Sequence, residues 1–204
     1  MPIAGIPLLC SQPVGFQYFH LDDSAVRAQM LDGWREEWAE LSEHWPREQW
    51  PYGKQLTDEG WVAFERLMPE ALTSENDDWL VNEMDQAEYW MDRSPRKTKT
   101  GVTMVNYNKQ DALERLCYGE FNIAYIRGLA RTLLARGETT CLVYRADPAY
   151  EPRKECSDWE GQTFPLADVI AGHRVRYFPP PGDPTAWSIP TGPNCHHSIR
   201  AIGS

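Results

Sequence analysis

No stretch of this 204-residue chain approaches the ~20 consecutive apolar residues that a membrane-crossing helix requires, so no membrane contact is expected. Residues 1–9 are apolar but lack the basic start and small-residue cleavage site of a secretory signal. Cysteine is scarce: Cys10, Cys117, Cys141, Cys156 and Cys195 form no Cys-x-x-Cys pair and leave one unmatched. That argues against a disulfide scaffold and for a reducing cytoplasm. The Gly-x-x-x-x-Gly-Lys phosphate loop, the Gly-x-Ser-x-Gly elbow and His-Glu-x-x-His are all missing. So is the paired His-x-Glu and Pro-Cys-x-x-Cys signature of zinc deaminases. Each absence removes one reaction class.

What is present centres on residues 108–145. Asn108 reads as a side-chain cap, and Leu113, Leu116, Cys117, Glu120, Ile123, Ala124, Arg127, Ala130 and Leu134 recur at three- and four-residue intervals. The spacing predicts a helix over 108–136, roughly 43 Å long at ~1.5 Å per residue. Phe121, Tyr125, Ile126, Leu129 and Leu133 lie off that face and are apolar too, so the helix is expected to be central. Gly137 suits its end, and the β-branched and aromatic run 139–145 is the best strand in the chain.

Three further regions surround it. Residues 1–21 hold prolines and large apolar side chains, among them Phe16, Tyr18 and Phe19, and read as an extended arm over the body or a neighbouring subunit. A helix starting at Asp22-Asp23-Ser24 carries Val26, Met30, Trp34, Trp38, Leu41 and Trp45 on one stripe. Core packing accounts for such a stripe, and a subunit interface, where tryptophan is also favoured, makes Trp34, Trp38 and Trp45 interface candidates. Thr57 caps a helix expected to stop at Pro69, and residues 74–77 cap another through Leu80, Met84, Ala87 and Met91. Residues 146–204 hold nine of the sixteen prolines and little helical signal, but Trp159, Phe164, Val169, Ile170 and Trp187 argue that they are pinned. The expected organisation is therefore an arm (1–21), a helical body (22–145) and a proline-rich segment (146–204), mainly α with a small β element.

The net charge of −10 is uneven: residues 21–92 carry 19 acidic against 5 basic side chains, and residues 93–136 carry 3 against 9. Such polarity suits self-assembly. Arg93, Arg96, Lys97 and Lys99 sit in a basic linker, read as a surface loop or as a contact for phosphates or an acidic partner. Residues 101–107 are a candidate strand to pair with 139–145.

Cys141, Cys156, His173, Cys195 and His197 are the candidate metal ligands, since thiolate and imidazole hold structural zinc. A Cys195–His197 nucleophilic pair is also conceivable, but residues this close scatter when they lie in a loop, and no third orienting group is evident.

Residues 155–164 (Glu-Cys-Ser-Asp-Trp-Glu-Gly-Gln-Thr-Phe) and 192–199 (Gly-Pro-Asn-Cys-His-His-Ser-Ile) resemble the paired carboxy-terminal boxes of tailed-phage minor capsid and head-morphogenesis proteins. Gly192 stands where that family commonly has histidine, and His196 where it has arginine. The resemblance implies a non-enzymatic virion component, assembled in the bacterial cytoplasm, in the head or near the portal and head–tail junction. Its implied partners are its own copies and other virion proteins, with DNA nearby. Two other classes compete: a zinc-dependent nuclease or toxin-like enzyme, and an acidic inhibitor or adaptor that presents residues 22–92 to a basic nucleic-acid-binding protein.

Overall fold

Asn108 caps as its position predicts: its side-chain oxygen accepts from the backbone N–H groups of Gln110 (3.0 Å) and Asp111 (3.5 Å). Helix α4 (Lys109–Ala135) runs 27 residues from that cap, and Gly137 leaves it in the left-handed region at φ +85°. Leu113, Leu116, Phe121, Tyr125, Ile126 and Leu129 are fully buried on several sides of α4, as expected of a central helix. The computed structural model describes residues 16–44, 50, 53–147, 154–176, 178, 182–192 and 195–203, without the side chains of His44, Glu155 and Cys156.

Helix α1 (Ser24–His44) packs along α4 and buries Val26, Met30, Trp34 and Leu41 in the common core. The two helices come closest at Gly128, where an added Cβ would lie 2.5 Å from Met30 Cγ and 2.7 Å from the Met30 backbone nitrogen. Only glycine admits backbone that near, so Gly128 sets the helix separation. Helix α2 (Asp58–Thr73) starts at Thr57, whose hydroxyl accepts from the Gly60 N–H at 3.0 Å. It does not stop at Pro69, contrary to the sequence expectation. Pro69 lies inside the helix, and burial of Ala71 and Leu72 beyond it offsets the lost hydrogen bond. Helix α3 (Asp77–Met84) is capped by Asn76. It ends before Ala87, and a 3-10 turn (Ala87–Tyr89) leads to Trp90, which bridges to Leu56 and donates its indole N–H to the Met84 carbonyl (2.8 Å).

The basic linker is a strand. β1 (Ser94–Thr98) and β2 (Gly101–Val105) form an antiparallel hairpin, with Ser94 opposite Val105 and Thr98 opposite Gly101. Residues 101–105 therefore pair with their immediate neighbours and not with 139–145, because a two-residue turn closes at far less entropic cost than a distant partner. Strand β3 (Thr140–Arg145) instead lies at the centre of a three-stranded antiparallel sheet, between β4 (Thr163–Pro165) and β5 (His197–Arg200). Two short helices, α5 (Lys154–Trp159) and α6 (Leu166–Ala171), flank β4. The carboxy-terminal segment is pinned: Leu166, Val169, Ile189 and Ile199 are buried, and Trp187 packs 4.7 Å from Phe164. The architecture is mainly α with a small β element.

Replacing Gly128 with alanine is expected to lower stability by about 1–3 kcal/mol through overpacking, against the gain alanine brings to an unpacked helix. Urea denaturation of the single variant measures it.

Candidate functional site

Two polar constellations are built on α4 and on β3. The first is buried. Glu37 on α1 and Glu120 on α4 are 7% and 1% exposed, and Arg174, 4% exposed, enters between them from the turn after α6. Its Nη1 and Nη2 reach Glu120 Oε1 and Oε2 at 3.2 and 2.5 Å, and its Nε meets Glu37 Oε1. His173 Nε2 lies 2.8 Å and Arg127 Nη1 3.4 Å from Glu37 Oε2, while the Trp50 indole donates to Glu120 at 3.4 Å. Burial pushes the Glu120 carboxyl up, to about 8. The Trp50 indole bond pulls the other way, and the two-pronged Arg174 guanidinium is the kind of partner that favours a charged carboxylate at that depth. Burial, with Arg127 and Arg131 nearby, takes His173 down to about 3, so the ring is neutral. Arg174 adopts φ +55°, a conformation a non-glycine residue holds only when its surroundings demand it. This cluster is a structural clamp.

The second constellation follows β3. Glu160, in the turn after α5, is brought beside β3 by the backbone bond from Gly161 N–H to the Val143 carbonyl. Its Oε2 accepts from Arg145 Nη2 and Nε at 2.9 and 3.2 Å. The register of β5 sets His197 opposite Arg145, and His197 Nε2 lies 3.2 Å from the same Glu160 oxygen. His197 Nδ1 is 4.0 Å from Cys195 Sγ. A thiol, an imidazole, a carboxylate and a guanidinium thus stand in line. The orienting group that sequence reasoning did not find is Glu160. The expected scatter does not occur: Cys195 sits in a turn closed by its own N–H to the Gly192 carbonyl (3.1 Å), two residues ahead of His197 at the start of β5, a spacing that keeps both on one side. Burial disfavours a charge on His197, but its contacts with Cys195 and Glu160 outweigh this and raise it above the usual histidine value. Burial likewise opposes Glu160, yet the bonds from Arg145 and His197 hold it below the ordinary carboxylate range. The line can stabilise a thiolate–imidazolium pair. Cys195 faces a cavity of about 210 Å³, whose lining includes Phe16, Arg115, Tyr118 and His196.

The proposed zinc set is not brought together. Cys195 and His197 are neighbours, but the Cys141 thiol on β3 turns to the Phe164 carbonyl (3.7 Å), and His173 is committed to Glu37. The Cys156 side chain lies outside the described residues. Among those described, no group of three or more His, Cys, Asp or Glu side chains is placed to hold a metal.

The interface candidates also divide. Trp34 is buried and stacks on Trp38 at 5.2 Å, and Trp38 packs against Trp50, Trp61 and Phe64, so both belong to the chain's own core. The correction follows from α2, which covers the tryptophan stripe. Trp45 lies outside the described residues. Phe16 stacks on His196 (5.3 Å), and Tyr18 sits 4.5 Å from Tyr125, so this part of the arm lies on its own body; Phe19 is 48% exposed. Arg93, Arg96, Lys97 and Lys99 are all exposed on the hairpin or at its root, and Arg93 donates to the Met104 carbonyl at 2.5 Å.

Compared with family models, curated proteins and solved structures, the chain matches none. No helix among the described residues is long and apolar enough to cross a membrane.

Arg174→Met is expected to cost about 3–5 kcal/mol, because it strands the buried Glu120 and takes from Glu37 one of its three partners. Adding Glu120→Gln should recover part of that loss, and chemical denaturation at neutral pH reads both. Burial pushes the Cys117 thiol up, and Cys141 up to about 12. Iodoacetamide at neutral pH is therefore expected to label Cys195 ahead of both. His197→Gln should slow that labelling on the order of tenfold, as followed by peptide mass spectrometry.

Proposed function

We propose that this chain is a non-enzymatic structural subunit of a tailed-phage virion, at the head or near the portal, assembled in the bacterial cytoplasm and acting through contacts with its own copies and other virion proteins. The observation that carries the reading is the β1–β2 hairpin. An isolated two-stranded hairpin is marginal in water, and persists when its open face is covered. Here Val102 is 66% and Met104 40% exposed, with Lys97 and Lys99 beside them. An exposed apolar stripe edged with cations is what a partner surface would cover. The likeness of residues 155–164 and 192–199 to phage head-morphogenesis boxes supports the same reading.

The line of Cys195, His197 and Glu160 favours a second reading, a thiol-dependent enzyme, over the metal-dependent nuclease considered from the sequence. The acidic-adaptor reading is weakened by what its carboxylates already do. Glu37 is buried in the clamp, and Glu36 is bound by Arg131 (2.7 Å) and Arg127 (3.3 Å).

Sedimentation of the full chain at rising concentration tests the proposal. Larger species are expected for the native chain, and Val102→Glu with Met104→Glu should abolish them without lowering thermal stability, since both side chains are exposed. A native chain that stays monomeric at every concentration, is absent from virions and loses a measurable turnover on Cys195→Ser would establish the second reading instead.

A further inference from the structure

The hairpin has a matching surface elsewhere on the same molecule. In the β1–β2 register, Lys97 stands opposite Val102 and Pro95 opposite Met104. Strand alternation puts these four residues on one face, with Arg96 and Thr103 on the other. That face is an apolar strip with a lysine toward its tip, and Lys99 lies in the turn beyond. No acidic residue occurs between Arg93 and Val105.

On the outside of α2 lies a shallow groove of about 350 Å³. Its floor is Val62, Ala63 and Tyr89; Asp58 and Glu59 stand at the amino-terminal end and Arg66 at the other. Val62 is 61% exposed, an unusual position for valine on a helix whose inner face is already packed by Trp61, Phe64, Leu67 and Met68. The groove repeats the hairpin's pattern in the opposite sign: apolar in the middle, carboxylates at one end. Arg66 fixes the direction, since the lysine-bearing tip is repelled there and attracted at Asp58 and Glu59.

We propose that the hairpin of one copy docks into the α2 groove of a second copy, with Val102 and Met104 on Val62 and with Lys97 and Lys99 at Asp58 and Glu59. The interface rests on the assembly reading above and assigns it a partner surface. Groove and hairpin root are neighbours in the fold: Leu56, just before α2, bridges to Trp90, four residues before β1 begins, and Tyr89 beside it lines the groove. A partner related by a two-fold axis therefore meets both surfaces together, and two copies exchange hairpins reciprocally. Each junction is small beside the ~1,200–2,000 Å² buried in stable complexes. Pairing is accordingly expected to be reversible, and the lysine–carboxylate contacts make it salt-sensitive.

A charge exchange tests the interface in the full chain. One variant carries Lys97→Glu and Lys99→Glu, the other Asp58→Lys and Glu59→Lys. Each alone pits like charges against each other and should dimerise at least about tenfold more weakly than the native chain. Mixed in equal amounts, they present opposite charges at both junctions, and dimer should return. Circular dichroism melts confirm that each variant is folded. Val62→Glu, at an exposed position, gives an independent loss on the groove side.

Failure is informative about which level is wrong. A native chain that remains monomeric overturns the assembly reading itself. If the native chain and the Asp58/Glu59 variant dimerise alike while the Lys97/Lys99 variant does not, the hairpin is an interface and the α2 groove is not its acceptor. If both variants dimerise undiminished, assembly runs through another surface. Should the chain stay monomeric but bind a short DNA duplex through Lys97 and Lys99, unaffected by Val102→Glu, the hairpin is a phosphate contact and the proposal is overturned.

Discussion

A guanidinium in the interior, held by two carboxylates, joins the three parts of the molecule that sequence distance keeps apart. Arg174 comes from the proline-rich segment, Glu37 from α1 and Glu120 from the middle of α4. None of the three could be buried alone, because an unpaired charge at that depth costs several kcal/mol. Together they are neutralised, and the positive φ of Arg174 is maintained by the bonds its side chain makes. The clamp adds less to stability than an apolar core of the same size would. What it supplies is a single allowed position for the segment after α6, since any slip would leave a carboxylate unpaired.

That position governs the rest of the carboxy-terminal structure. With α6 fixed on α4, the chain returns through Trp187 and Ile189 to place β5 beside β3, and Asn122 on α4 donates to the His197 carbonyl at 2.9 Å. The strand so placed carries His197 to Glu160 and Cys195 to His197. The line of thiol, imidazole and carboxylate thus depends on the position the clamp gives this segment. Beyond this core stands the hairpin, whose exposed valine and methionine face outward because they lie beyond the reach of α4. The molecule divides into a body whose interior charges are paired and a projection whose lysines, valine and methionine are exposed.

Much of the body was legible from local pattern. The α4 cap at Asn108, its end near Gly137, the tryptophan stripe of α1 and strand 140–145 all follow from periodicity and capping chemistry. Pro69 misled because its local penalty was weighed without the burial of Ala71 and Leu72 that offsets it. Residues 101–105 misled because strand propensity names no partner, and the nearest in sequence won. The cysteines and histidines of the carboxy-terminal part drew attention to Cys195 and His197 for metal chemistry, while Glu160 gave no sign of its role as their carboxylate.

By itself the sequence determined where the first four helices begin, their caps and most of their buried faces, and the central place of α4, because those depend on residues within a few positions of one another. Only the tertiary structure decided which charges meet. Arg174 is 54 residues from Glu120, and Glu160 is 37 from His197. A side chain's pairing across such spans depends on how whole helices and strands stack, which no spacing rule encodes.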